Sequence, residues 1–244
     1  MNTCRARDII FTIFARLLLV FIGIIFFIPF IIVYCLPVSV RSSNWLVYRL
    51  SDWFYRMVLW GSLIPVTMRG TENLPNVPAI FVMNHQSSLD IPLGGVLARG
   101  HPHLWLARSE LRESCVLRVL LSLFSEVIDV NSPISAMRSL IRIISNVKTT
   151  GQSIMIFPEG GRFTDGYVHD FFAGFVILAK KTGYPVIPIR IFGADKVYPP
   201  GTMIMRRVPV TVLIGKPFIF QEGDDDEEFK NRVQRWFSES MIPE

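Results

Sequence analysis

The sequence predicts an α/β fold, a largely parallel central sheet flanked by helices, with an N-terminal membrane-embedded helical segment ahead of it. Three observations carry that prediction. Residues 17–40 read LLLVFIGIIFFIPFIIVYCLPVSV and contain no charged side chain. Beyond Gly70, short apolar and β-branched runs are bounded by turn residues, as strands are. Between those runs lie stretches whose apolar positions recur at helical spacing. Strands that alternate with helices argue for helical crossovers, and crossovers make neighbouring strands parallel.

Taken in order, the first element is the apolar run. As one helix it would be about 36 Å long, enough to cross a hydrocarbon core of about 30 Å. It exceeds the apolar core of a signal peptide, and no small-x-small cleavage pattern follows it. Pro29 lies inside the run, so the segment either spans the bilayer or bends into two arms that re-enter one leaflet. Arg5, Arg7 and Arg16 flank one side and Arg41, Arg49 and Arg56 the other, so positive charge does not choose an orientation. A second apolar stretch, 57–68, is too short to span. It reads equally as an interfacial segment beside Trp53 and Trp60 or as a strand or buried helix of the globular part. The expected division is a membrane-anchoring helical region over 1–69 and a globular domain over 70–244.

The globular domain opens on the turn-rich TENLPNVP and enters a strand at 79–83. A loop and a strand containing LWLA follow, then a helix over 109–124 and a short strand over 127–130. Residues 133–148 form an amphipathic helix, with Ile134, Met137, Ile141 and Ile144 at helical spacing. After Gly151 comes a strand at 153–157, a glycine-rich turn, and a helix over 175–182 that Gly183 caps. Strands are expected at 186–192 and 208–214. The acidic run 224–228 then leads a helix whose Phe229, Val233, Trp236 and Phe237 share one face, the acids suiting the positive end of its dipole.

Composition narrows the function. Half of the 244 residues are hydrophobic and the formal net charge is +5. A basic, apolar chain fits an anionic membrane surface or a phosphorylated substrate. No basic cluster interleaved with aromatics appears, which argues against nucleic acid as a partner. Cys4, Cys35 and Cys115 are scattered and odd in number, giving neither a disulfide framework nor zinc-ligand spacing. A reducing, cytosolic face is expected.

Two short motifs carry chemistry. Asn84-His85-Gln86-Ser87-Ser88-Leu89-Asp90 places an imidazole and a carboxylate just after a strand. On one ideal helix the pair would point about 140° apart. They meet if the chain turns through Gln86-Ser87-Ser88 and Asp90 projects back from the first turn of a helix. The carboxylate then fixes the ring tautomer and stabilises the imidazolium formed when His85 takes a proton. By itself such a pair is equally a set of surface residues. No Gly-x-Ser-x-Gly elbow accompanies it, so the attacking hydroxyl is expected from a substrate.

The second motif, Phe157-Pro158-Glu159-Gly160-Gly161-Arg162, directly follows the strand SIMI. Ligands bind at the carboxyl ends of strands in open α/β sheets. Gly160 and Gly161 let backbone approach a ligand, and Arg162 offers a fork for phosphate. Glu159 either bonds a hydroxyl or orients that arginine. The bland alternative is a tight turn with a solvated salt bridge. His101 and His103 form a His-x-His pair without further ligands nearby, so no metal site is expected, and His169 reads as a surface residue.

Together the motifs resemble the glycerolipid acyltransferase family, which includes the bacterial 1-acylglycerol-3-phosphate acyltransferases. NHQSSLD is similar to that family's NHxxxxD block and FPEGGR to its FPEGTR block, with Gly161 where threonine is usual. ARSEL resembles a further stretch, with Arg108 at the position of a lysine, and YPVIPIRIFG resembles the fourth block, with Pro188 as its central proline. Two departures stand out. SEVIDVNS has Val130 where an arginine is common, and FFAGF keeps Gly174 but has Ala173 where a lysine is common.

The resemblance implies a fold and a reaction. His85 would act as general base on a lysolipid hydroxyl, with Asp90 orienting the ring. The oxygen would attack the thioester of acyl-CoA or acyl carrier protein, the co-substrate, with no cofactor. Backbone amides of the NHQSS turn would stabilise the oxyanion. Asn84, Arg108, Glu159, Gly160, Gly161, Arg162 and Pro188 are the expected substrate-binding residues. The acceptor would be lysophosphatidic acid, giving phosphatidic acid, or another lysolipid, as Val130 and Ala173 suggest; a catalytically silent lipid-binding protein is the reading from another class. The expected location is a membrane with the catalytic domain on its cytoplasmic face, the bacterial inner membrane in the first instance.

Overall fold

A computed structural model describes residues 6–42, 44–108, 125–128, 132–198 and 203–241. The expected helix over 109–124 and Val130 lie outside the described residues. So does the side chain of Arg108.

The apolar run forms one continuous helix, α1 (Ala6–Cys35), which passes straight through Pro29. A short turn of helix, α2 (Val38–Arg41), leads to α3 (Trp45–Ser62), whose start is capped by the Asn44 side chain accepting from Leu46 N at 2.9 Å. α3 packs against α1 through Val47, Phe54 and Val58 on Ile22, Phe26, Phe30 and Val33. Phe54 meets Phe26 and Phe30 edge-on at 5.3 and 5.1 Å. At Gly61 a Cβ would meet the tip of the Ile22 side chain, which packs into the space the glycine leaves. The helical region expected over 1–69 thus includes α3, which the sequence does not delimit because it is amphipathic and mixed in character; its Ser51, Asp52 and Tyr55 are buried toward the globular part while Trp45, Trp53 and Trp60 are exposed. The stretch 57–68 divides between the end of α3 and the first strand.

That strand, β1 (Val66–Arg69), is followed by β2 (Ile80–Met83), α4 (Asp90–Gly95), β3 (His103–Arg108) and β4 (Ser125–Ile128). Then come α5 (Pro133–Thr150), β5 (Ser153–Ile156), α6 (Gly174–Thr182), β6 (Val186–Phe192), α7 (Ala194–Val197), β7 (Val210–Ile214) and α8 (Asp226–Glu239). The sheet order is β1-β7-β6-β2-β5-β3-β4. Only the β6–β7 pair is antiparallel among the described pairs. The largely parallel sheet expected from sequence is therefore present. It reaches back to Val66, ahead of the expected boundary at Gly70, because β1 pairs with β7 at Val66↔Val210.

Side chains of β2 alternate between two cores, as a strand buried on both faces requires. Phe81 and Met83 join Trp105, Met155 and Ile189 on the face that also receives α4. Ile80 and Val82 join Ile154 and Ile156 under α5, α6 and α8, where Ile143, Phe175, Phe229 and Phe237 are fully buried. Asp225 caps α8 by accepting from Glu228 N at 2.9 Å, and the acids beyond it occupy the first turn.

β2 lies between β6 and β5, with Val82 level with Ile156. Both strands run the same way and end together. The segments that leave them, NHQSSLD and FPEGGR, therefore emerge side by side at the carboxyl edge.

Candidate active site

The site is assembled at that edge. Asn84, the first residue after β2, is 1% exposed. Its Nδ2 donates to Ile191 O at 2.9 Å and its Oδ1 accepts from Ile191 N at 2.7 Å. The side chain thus replaces a rung of the ladder between β2 and β6 where the strands splay. Sequence reading assigned Asn84 to substrate binding; its amide is instead spent on pinning the chain just before His85.

From there the chain turns back through Gln86-Ser87-Ser88, and Asp90 opens α4. Its Oδ2 accepts from His85 Nδ1 at 2.9 Å, from Gln86 N at 2.6 Å and from Ser87 N at 2.7 Å. Oδ1 is buried without a hydrogen-bond partner among the described residues. One carboxylate oxygen therefore holds both the ring and the loop. The carboxylate accepts, so the proton on the ring sits on Nδ1 and Nε2 is left as the basic nitrogen. The His85 side chain is 15% exposed and that of Asp90 fully buried, so the pair is shielded except at the ring's outer edge.

The expected oxyanion amides are largely committed. Gln86 N and Ser87 N serve Asp90, His85 N donates to Glu159 Oε1 at 2.9 Å, and Leu89 N donates to Ser87 Oγ at 3.3 Å. This corrects the sequence reading, because the turn's amides are needed to build the dyad. Ser88, exposed at the tip of the turn, is left with an amide outside these bonds.

The FPEGGR turn packs against the dyad rather than only facing a ligand. Phe157 stacks on the His85 ring at 4.0 Å and 15°, and Trp105 backs Phe157 at 5.4 Å. Glu159 is 4% exposed. Its second oxygen, Oε2, accepts from His169 N at 2.8 Å. Burial pushes its carboxyl up from the ordinary value, while the backbone donors of His169 and His85 pull it back. Glu159 was expected to touch substrate or to orient Arg162; both of its oxygens instead clamp main chain, tying His85 to the loop that ends at His169. Phe163 N closes the same link by donating to His85 O at 2.9 Å.

The remaining expected residues divide. Gly160 has φ 66°, a left-handed turn that glycine favours. At Gly161 a Cβ would meet the Phe163 ring at 3.4 Å. Arg162 is exposed and has no hydrogen-bond or ion-pair partner among the described residues, so its guanidinium is available to an anion. Pro188 is buried within β6 beside Val82, and its carbonyl accepts from Gly215 N at 2.9 Å. It shapes the central sheet from within β6.

His169, read from sequence as a surface residue, is partly exposed but ordered by its neighbours. Its Nε2 lies 2.8 Å from Asp165 Oδ2 and its ring stacks on Phe163 at 3.7 Å and 19°. The Asp165-x-x-x-His169 spacing is the one sequence signal for that pair. His103, by contrast, is buried with both ring nitrogens engaged, Nδ1 by His101 O at 2.9 Å and Nε2 by the Tyr55 hydroxyl at 3.3 Å. Desolvation lowers it to about 4, so it is neutral in the folded chain.

A family model described as Acyltransferase matches residues 65–192. The chain is 30% identical over 189 residues to a chloroplastic 1-acyl-sn-glycerol-3-phosphate acyltransferase of Brassica napus, covering 72% of this chain and 53% of that protein. It is 29% identical over 211 residues to the 1-acyl-sn-glycerol-3-phosphate acyltransferase of Pseudomonas aeruginosa, covering 82% and 76%. The chain spans about half the length of the plant relatives it matches. Among solved structures, the crystal structure of the 1-acyl-sn-glycerophosphate acyltransferase PlsC from Thermotoga maritima superposes with a TM-score of 0.75 at 26% identity, covering 95% of this chain and 93% of that one.

Proposed function

Because the chain belongs to the glycerolipid acyltransferase family, we propose that it transfers a fatty acyl group from an acyl thioester to the free hydroxyl of 1-acylglycerol 3-phosphate, giving phosphatidic acid. The observation that carries this reading is the His85 Nδ1 to Asp90 Oδ2 contact of 2.9 Å, which leaves Nε2 as the base. Nε2 takes the hydroxyl proton as the acceptor oxygen bonds to the thioester carbonyl carbon. The C–S bond then breaks and the imidazolium returns the proton to the departing thiolate of coenzyme A or acyl carrier protein. The negative oxygen of the intermediate falls to donors outside the dyad, of which the Ser88 amide is the one left in the turn. Arg162 takes the acceptor phosphate.

A membrane location suits such a reaction, since acceptor and product both keep acyl chains in a bilayer. α1 is long and apolar enough to cross one. Its first turns are docked on the globular part, with Thr12 Oγ1 accepting from Met205 N at 3.0 Å and Ala15 fully buried. α3 returns beside α1 into β1. Both ends of the hairpin thus come back to one side, which supports a re-entrant anchor with the exposed Trp60, near the end of α3 that enters the globular part, at the headgroup level. Thioester donors place that side at the cytoplasm.

A second reading keeps the chemistry and changes the acceptor. It rests on Ala173, which heads α6 with no polar group to offer a phosphate. Membranes containing the full chain, given labelled acyl-CoA and a panel of lysolipids with His85→Ala alongside, decide between the two. Preferred transfer to 1-acylglycerol 3-phosphate that vanishes in the variant is the expected result. Transfer that survives in His85→Ala would sink the general-base assignment, and preference for another lysolipid would favour the second reading.

A further inference from the structure

We propose that His169, held by Asp165 and Phe163, binds the anionic headgroup of the acceptor together with Arg162. The inference rests on the acyl-transfer reading of His85 and adds a residue to its acceptor site. Its first support is placement. One Glu159 carboxylate accepts from His85 N with Oε1 at 2.9 Å and from His169 N with Oε2 at 2.8 Å. The main chain of His169 therefore lies across a single carboxylate from that of the base. Phe163 N to His85 O, 2.9 Å, joins the same loop to the base a second time.

Orientation is the second support. Asp165 is itself fixed by Tyr167 N, which donates to Oδ1 at 3.0 Å, and its Oδ2 lies 2.8 Å from His169 Nε2. The imidazole stacks on Phe163, whose ring lies against the Gly161 backbone. Gly161, Phe163 and His169 thus form one layer next to Arg162. The His169 side chain is 37% exposed, and Nδ1 has no hydrogen-bond partner among the described residues. That edge offers a hydrogen bond to a headgroup oxygen, donating from a doubly protonated ring and accepting from a P–OH otherwise.

Charge is the third. A phosphate monoester carries about −1.5 to −2 near pH 7. Arg162 supplies one positive charge, and it is unpaired among the described residues. The open Nδ1 edge adds a hydrogen bond from the same loop, which neutral headgroups would not use in the same way. A loop staple alone would not need the exposed ring edge.

The test compares acceptors. Purified full chain in detergent is assayed with acyl-CoA against 1-acylglycerol 3-phosphate and monoacylglycerol, for the wild type, His169→Gln and His169→Lys. His169→Gln should lower the preference for the phosphate acceptor about tenfold, the size of one lost charge-assisted hydrogen bond, with the change in KM rather than kcat. His169→Lys should restore most of it. In a His85→Ala background, which cannot turn over, His169→Gln should also weaken binding of 1-acylglycerol 3-phosphate micelles. Unchanged preference and unchanged micelle binding would overturn the inference, as would an equal fall in kcat on both acceptors, which marks a structural or proton-transfer role. Micelle binding that weakens while the wild type transfers to neither acceptor would keep the headgroup site and sink the acyl-transfer reading.

Discussion

The chain holds two histidine–aspartate pairs, and they teach opposite lessons from nearly identical contacts. His85–Asp90 and His169–Asp165 are joined at 2.9 and 2.8 Å, and each ring stacks on a phenylalanine. Their surroundings differ. The side chains of the first pair are 15% and 0% exposed, those of the second 37% and 47%. Water screens the outer pair, so its worth lies in where it puts a charge. Shielding makes the inner pair a fixed device, with Asp90 also holding the backbone that carries its partner. The nitrogen used matters as well. Asp90 takes Nδ1 and leaves Nε2 facing out; Asp165 takes Nε2 and leaves Nδ1.

The largest expected effect breaks the inner pair. Asp90→Asn keeps the shape but replaces an acceptor-only group by one that donates on one side, which permits the wrong ring tautomer and loosens the Gln86 and Ser87 amides. We expect kcat to fall about 10²–10⁴-fold, the range for a positioned base and its orienting acid. Asp165→Asn should change acceptor KM by about fivefold or less, in keeping with an exposed ion pair. Parallel kinetics on the two variants check the contrast; comparable losses in kcat would erase the distinction between the pairs.

His103 shows what a buried imidazole does without a carboxylate against it. Burial lowers it from 6.5 to about 4. The folded chain then binds fewer protons there than the unfolded chain between those values. Stability should therefore fall as pH drops from 6.5 toward 4, by up to about 3 kcal/mol at about 1.4 kcal/mol per unit. Thermal melts from pH 7.5 to 4.5 measure the slope, and His103→Gln should flatten it.

Glu159, the bridge between the pairs, comes next. Glutamine in its place can accept from one of the His85 and His169 amides but turns an N–H toward the other. A loss of about 1–3 kcal/mol in stability is expected, with reduced turnover, read by melting and by assay. The carboxyls of the two regions also titrate with opposite sign. Glu159 is raised by burial, so the stability it contributes is present at low pH and declines as pH rises through its shifted value. Asp165 is lowered by the Tyr167 amide and then by His169, so its contribution is present above 3.8 and is lost as pH falls through its lowered value.

These contrasts bear on what a sequence shows. The strands were legible because β2, β5 and β6 are apolar runs bounded by turn residues, and the dyad because a strand, a tight turn and a helix start follow one another locally. The main-chain roles of Asn84 and Glu159 were not legible because their chemical type suggests a ligand, while the partners that show those roles lie 107 and 74 positions away. Nothing in the residues themselves announces that a side chain will be consumed by main chain. α3 falls in the expected helical region but its bounds were not legible because its buried face is polar, with Ser51, Asp52 and Tyr55 turned inward. His169 read only as a surface residue because its link to the site runs through a Glu159 carboxylate ten positions away.

The smallest effect separates the two phenylalanines. Phe157 stacks on His85 and is backed by Trp105, whereas Phe163 stacks on His169 and rests on Gly161. Leucine at either position removes a ring pair worth about 0.5–1.5 kcal/mol but keeps most of the apolar volume. If the inner ring serves to hold the base at its angle, Phe157→Leu lowers kcat by about 2–10-fold and leaves acceptor KM nearly unchanged. If the outer ring holds the imidazole that meets the headgroup, Phe163→Leu raises acceptor KM by a similar factor at nearly constant kcat. Steady-state kinetics on the pair therefore test the division of labour directly: the same small chemical change must appear in different kinetic constants. Identical profiles would mean that both rings only fill space.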